Sequence, residues 1–318
     1  MFRTFPWLAT VLVFLAVPAQ SFSKPAGKMT LPANTFIILD HIYSGRRDLA
    51  LTEVHQLEAQ EPDNPVGYLL EAEVEWWKIW CASAEFKYGM TMARHHDKSP
   101  DDRHYLESTA KAYALAQANF HGQNGGEMHL YAGMADGLAA RLYALRSEYR
   151  AAARAGVRGR ENFLAALALD SSLADAYTGL GLYNYYVDTL SMLAKALRLL
   201  MGIPGGTKEE GIQQLRRGMQ EGQMSRSLAR FYLGMNLFNY DHRYEEALEV
   251  FSPLAAKYPE NPLFQLTMGD LNAKLGRNKM AETHYHAAEE AANKVPEPDC
   301  RAKMKQLAAV SLESVEGK

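Results

Sequence analysis

Apolar residues recur at spacings of three and four along almost the whole chain, the period of helices that bury one face. The breaks between these runs fall at Gly, Pro, Asn and Asp, the residues that favour turns. The pattern predicts helices over 32–44, 47–60, 65–90, 100–120, 127–145, 148–169, 174–201, 208–221, 226–240, 244–257, 262–274, 278–292 and 299–313. Only TFIIL, at 35–39, has the look of a strand. Two helix starts are marked by their own chemistry. SPDD offers Ser99 as N-cap, Pro100 at the first helical position, and Asp101 and Asp102 in the first turn. TKEE offers Thr207 and Glu210 as a capping box.

A period runs through the pattern. EPDNPVGYLL and YPENPLFQL both carry Pro, an acid, Asn and Pro ahead of a helix. Ala50 and Ala247 stand at the same distance before Pro62 and Pro259, and Ala247 lies 34 residues before Ala281. Small residues recur where paired helices would cross (Gly45, Ala50, Gly269, Gly276, Ala281), and larger ones follow (Val54, Phe163, Tyr177, Phe251, Tyr285). Small residues let two backbones approach, and large ones fill the gap to the next unit. Ser171 stands where Pro is usual.

With this spacing the chain resembles the tetratricopeptide repeat, a helix-turn-helix unit. The resemblance covers 31–65, 159–186 and 226–292; residues 66–158 are helical but off-consensus. A finer likeness lies in GLGLYNYYVDTLSMLAKALRLLMGIPGGTKEEGIQQL, which is similar to a segment of the tetratricopeptide-repeat 39 and inclusion-body-clearance family. Gly181, Tyr183, Asn184, Leu190, Leu193, Gly202, Gly205, Gly206 and Gly211 occupy comparable places. That family is cytosolic, and the N-terminus of this chain departs from it. The resemblance implies an all-α fold, a right-handed TPR-like α-solenoid of about six helical hairpins with a C-terminal capping helix. Residues 31–158 would form an N-terminal half and 159–318 a C-terminal half. Tyr68, Glu71, Trp76, Tyr177, Asn184, Arg230 and Gln265, on the first helices of hairpins, would line its concave groove.

Composition narrows the classes. The chain has 318 residues and 47% hydrophobic content, ample for a large core. Lys and Arg number 34 against 37 Asp and Glu, a net charge of −3, so nucleic acid is not the implied partner. MFRTFP followed by WLATVLVFLAV has the form of a secretory signal peptide over 1–19, with Val17 and Ala19 at the cleavage positions and a linker over 20–30. The apolar run is shorter than the roughly 20 residues a membrane span needs. The expected location is therefore exported, periplasmic or envelope-associated. Cys81 and Cys300 sit near opposite ends of an array expected to be elongated, so two buried free thiols are expected.

Candidate chemistry is sparse. GIPGGTK, 202–208, resembles a phosphate loop only superficially: Thr and Lys stand in the wrong order, and a helix precedes it where a strand is required. RHHDKSPDDRH holds His95, His96, Asp97, Asp101, Asp102 and His104, but without a metal-ligand spacing it reads as a polar turn. Glu71 and Glu75 share a helix face beside Trp76 and Trp80, which reads as packing with solvated acids or as a ligand groove. On 183–201, Asp188, Ser191, Lys195 and Arg198 form one narrow polar stripe on an otherwise apolar helix. That helix is read as core, as a partner or lipid groove, or as a membrane-surface element.

The expectation is a non-enzymatic scaffold that binds a protein or peptide and takes no cofactor. The alternatives are a carrier of an apolar ligand, or a peripheral membrane contact, through 183–201, with Tyr183, Tyr186, Leu193 and Leu197 lining a cavity. An enzyme would require titratable groups to converge, for example His95 or His104 on Glu71.

Overall fold

A computed structural model of the chain describes residues 29–83, 97–189, 195 and 202–316. The predicted signal peptide and most of the linker lie outside the described residues, as do the ends of two expected helices, 84–90 and most of 190–201. Among the described residues every regular element is a helix, and there are 13. They are α1 Thr35–Tyr43, α2 Arg47–Gln60, α3 Pro65–Ser83, α4 Pro100–Gln117, α5 Gly125–Leu145, α6 Tyr149–Leu169 and α7 Ala176–Thr189. The remainder are α8 Lys208–Glu221, α9 Arg226–Asn239, α10 Tyr244–Lys257, α11 Pro262–Lys274, α12 Asn278–Ala292 and α13 Pro298–Glu313. TFIIL lies within α1, because Ile38, Leu39 and Ile42 recur at helical spacing and bury together.

Both expected N-caps accept a backbone amide, but the reciprocal bond that completes a capping box is shown only at Ser99. Ser99 Oγ accepts the Asp101 amide at 3.2 Å, and the Asp102 carboxylate accepts the Ser99 amide at 3.2 Å. Thr207 Oγ1 accepts the Glu210 amide at 3.2 Å. Asn261 caps α11 ahead of Pro262 by accepting the Leu263 amide at 3.0 Å.

Each helix packs on the next in sequence. Odd-numbered helices also touch: α1 with α3, α3 with α5, α5 with α7, α7 with α9, and α11 with α13. One turn geometry recurs within the pairs. Gly45, Ser147, His242 and Gly276 all take a positive φ, between α1 and α2, α5 and α6, α9 and α10, and α11 and α12. The residues that follow, Arg46, Glu148, Arg243 and Arg277, share φ near −90° and ψ near 60°, and each opens a helix. Where paired helices cross, Gly234 lies on the Phe251 ring and Gly269 on the Tyr285 ring, and a Cβ at either would collide with the aromatic. Sequential pairing with repeated turns is consistent with a helical repeat arrangement.

Early and late segments of the described chain meet. Asp40 on α1 accepts bonds from Lys257 Nζ at 2.8 Å and the Tyr258 hydroxyl at 2.6 Å. Asn261 Nδ2 donates to the Tyr43 carbonyl at 2.9 Å. Between these contacts runs an aromatic cluster: Trp77 stands 5.4 Å from Phe231 and 6.2 Å from both Phe264 and Tyr43, centre to centre. The last helix, α13, returns to α3, and there Cys81 and Cys300 form a disulfide with Cα atoms 5.4 Å apart. This corrects the expectation of two free thiols. That expectation assumed an elongated chain, whereas the array turns back on itself and brings these positions within bonding range.

One buried ion pair sits at this junction. Arg141 on α5 donates to Glu73 on α3 at 2.7 Å and lies 4.0 Å over the Trp76 ring. It also donates to the hydroxyls of Tyr105 and Tyr232, both at 3.3 Å, so one side chain joins α3, α4, α5 and α9. Burial opposes the Arg141 charge, but Glu73 and the two tyrosines outweigh it and hold its pKa above the usual value. Glu73→Leu would strand that charge and is expected to destabilise by about 3–5 kcal/mol. The double change Glu73→Leu/Arg141→Leu is expected to cost less than that single change, because it removes the stranded charge together with its partner. Urea midpoints of wild type, both single variants and the double variant check this cycle.

Candidate functional site

The seven expected groove residues do not gather on one surface. Trp76 is buried in the aromatic junction, stacked 6.1 Å from Trp80. Tyr177 lies under the Arg217 guanidinium at 4.0 Å. Asn184 is buried against α8, donating to Gln214 at 2.9 Å. Gln265 is buried on α11, donating to the Pro259 carbonyl at 3.2 Å and meeting His284 at 2.9 Å. Arg230 is half-buried on α9 and donates to the Val250 carbonyl at 2.9 Å. Only Tyr68 and Glu71 share an environment, a polar cluster formed by α2, α3 and α4.

Glu71 is the hub of that cluster. Its Oε2 accepts the Ser108 hydroxyl at 2.6 Å, and its Oε1 lies 3.1 Å from His104 Nε2 and 3.6 Å from His55 Nε2. His104 and Ser108 are four residues apart on α4 and so share one helix face. That spacing was available in the sequence; the approach of α2 with His55 and Glu58 was not. The arrangement brings His104 onto Glu71, but it is not a nucleophile with its base. The Ser108 hydroxyl donates to the carboxylate, not to an imidazole, and Ser108 is only 3% exposed. Among the described residues no group of three or more His, Cys, Asp or Glu is placed to hold a metal ion. His95 and His96 lie outside the described residues.

The unusual group of the cluster is Glu58. Glu58 lies across the notch left by Gly67, so its carboxyl is drawn under α3. Burial, and next the charge of Glu71, push Glu58 up to about 7, with His104 acting in the opposite direction. Burial, then Glu58 and Glu71, also push the Tyr68 hydroxyl up.

The helix that follows Tyr183 is tied inward over its described part. Tyr183 donates to the Pro204 carbonyl at 2.8 Å and Tyr186 to Asn236 at 3.0 Å. Asp188 accepts from Lys195 at 2.8 Å and from the Lys208 amide at 3.0 Å, which hold its carboxyl below the usual range. Leu190, Ser191, Leu193, Leu197 and Arg198 lie outside the described residues. GIPGGTK acts as a turn: Gly202 is left-handed, Thr207 caps α8, and Gly206 passes so close to Asn184 that a Cβ would collide. Among the described residues no helix is long and apolar enough to cross a membrane.

A cleft of about 390 Å³ opens between α1, the turn before α9 and the end of α10. Phe36, Leu39, Met224 and Tyr258 supply its apolar surface, and Arg226, Lys257 and Asp40 its charged edge. Sequence reading missed it because its walls come from three distant segments. Arg230, one of the expected groove residues, lies one helical turn beyond Arg226.

Compared with family models and with curated proteins, the chain matches none.

The Glu58 proton fixes a sign. The folded state binds this proton more tightly than the unfolded chain, with a folded pKa of about 7 against 4.5. Its contribution to stability is therefore full below pH about 4.5 and is lost as pH rises through about 7. Glu58→Gln is expected to be more stable than wild type at pH 8 and close to it at pH 4.5, read as urea midpoints across that range.

Proposed function

We propose that the protein is an exported, non-enzymatic scaffold of the tetratricopeptide type, which holds another protein in the cell envelope. The observation that carries this reading is the turn repeated at Gly45, Ser147, His242 and Gly276, joined to the sequential pairing of the helices. A unit repeated in turn and in packing builds extended surface from small parts, and such arrays work by presenting that surface to partners. The Cys81–Cys300 disulfide is compatible with an oxidising, extracytoplasmic compartment, which agrees with the signal-like N-terminus. The Glu71 cluster supports a structural role, since its hydroxyl and imidazoles converge on a carboxylate and leave no activated nucleophile.

The test is site-specific photo-crosslinking in cells that make the protein. A photoreactive residue is placed at exposed positions spread over the surface: Tyr149, Leu169, Met280 and Val310. The expected result is a discrete adduct with one protein from a subset of positions, in the extracytoplasmic fraction, on a chain whose N-terminus is Gln20. Co-purifying lipid with no protein adduct from any position would contradict the reading.

A further inference from the structure

The cleft beside α1 has a composition that selects its occupant. We infer that it binds an acidic peptide segment, in which an apolar side chain enters between Phe36, Leu39 and Met224 while neighbouring carboxylates meet Arg226. This deepens the scaffold reading and rests on it.

Three observations carry the inference. The first is uncovered apolar surface at a concave place. Phe36 is 49% exposed although it lines the cleft, and its neighbour Ile37 is 52% exposed. Concave apolar surface beside fixed polar groups is where ligands gain most from leaving water.

The second is unbalanced charge. Lys257 is paired with Asp40 within the cleft. Arg226 has no such partner among the described residues: its Nε donates only to the Gly222 carbonyl, at 3.1 Å. Arg230 follows one turn later and also meets a carbonyl, not a carboxylate. Burial, and next the charge of Arg226, lower the Arg230 pKa, so the two guanidinium groups repel in the unbound protein. The excess is local and opposite in sign to the chain, whose net charge is −3.

The third is rigidity. The Asp40 bonds to Lys257 and Tyr258 fix α1 against the end of α10, so the cleft walls are held before anything binds. The volume suits a few side chains, and polar Ser227 lines it beside the apolar residues. A peptide alternating apolar and acidic groups matches that lining. An acyl chain calls for an enclosed apolar channel, and a membrane surface for an open convex face.

The experiment uses the full mature chain and synthetic peptides followed by fluorescence anisotropy. The first peptide alternates Phe and Leu with Glu. A second has Lys in place of Glu, and a third has Ser in place of Phe and Leu. Saturable binding of the first is expected, with the other two at least about tenfold weaker. Arg226→Glu and Phe36→Ser change exposed side chains, so melting curves are expected to match wild type. Each is expected to weaken the acidic peptide at least about fivefold, and raised salt is expected to weaken it further. Equal binding of the Lys peptide, indifference to both substitutions, or no saturable binding would overturn the inference. So would preferential binding to phosphatidylglycerol vesicles that ignores the peptides. If Leu169 or Val310 crosslinks a partner while the cleft binds no peptide, the inference falls and the scaffold reading stands. If no position yields a protein adduct while lipid co-purifies, the scaffold reading falls and the inference, which rests on it, falls with it.

Discussion

Trp77 packs against Phe231 and Phe264, and Arg141 reaches from α5 to Glu73 on α3 and Tyr232 on α9. These contacts join segments far apart in sequence, and the rest of the architecture follows from them. A row of helical hairpins has no intrinsic reason to bring its ends together, since each pair contacts only its neighbours. Here α3, α9 and α11 carry large aromatics that pack against one another across these segments. Their mutual burial sets Tyr43 on Tyr258 and α13 on α3. The Cys81–Cys300 disulfide follows from that closure and then secures it.

Burying Arg141 in this junction is costly, and no purely apolar core needs it. Its compensation is orientation: four partners on α3, α4 and α9 hold it in one geometry. The same logic operates at Arg146, whose guanidinium takes both oxygens of Asp102 at 2.7 Å and so fixes the start of α4 against the end of α5. Because the interior is filled in this way, Trp76, Asn184 and Gln265 serve packing. The cleft lies at the rim, where α1 meets α9 and α10.

Local features were readable in the sequence. The caps at Ser99 and Thr207, the turn at Gly202 and the crossing of Gly269 on Tyr285 depend on residues within one hairpin or turn. Gly45 and Gly276, expected where paired helices cross, instead turn the chain between helices with a positive φ and no close neighbour. Closure was not readable, because it depends on side chains brought together by the summed rotation of many units. For that reason Cys81 and Cys300 were expected to stay apart. For the same reason Glu71, taken for a groove acid, is instead the buried acceptor of Ser108 and His104. His242 marks an intermediate case: it occupies the left-handed position that Gly45 and Gly276 fill elsewhere, so the turn was present without its usual residue.

The central claim is that the first and last parts of the chain are held against each other. Zero-length carbodiimide crosslinking tests it most directly, because Asp40 and Lys257 are half-exposed and already paired at 2.8 Å. Peptide mapping of the monomeric fraction is expected to show an Asp40–Lys257 amide alongside local links such as Glu260–Lys294. A monomer that carries the local links but none joining 29–83 to 226–316 would contradict the account.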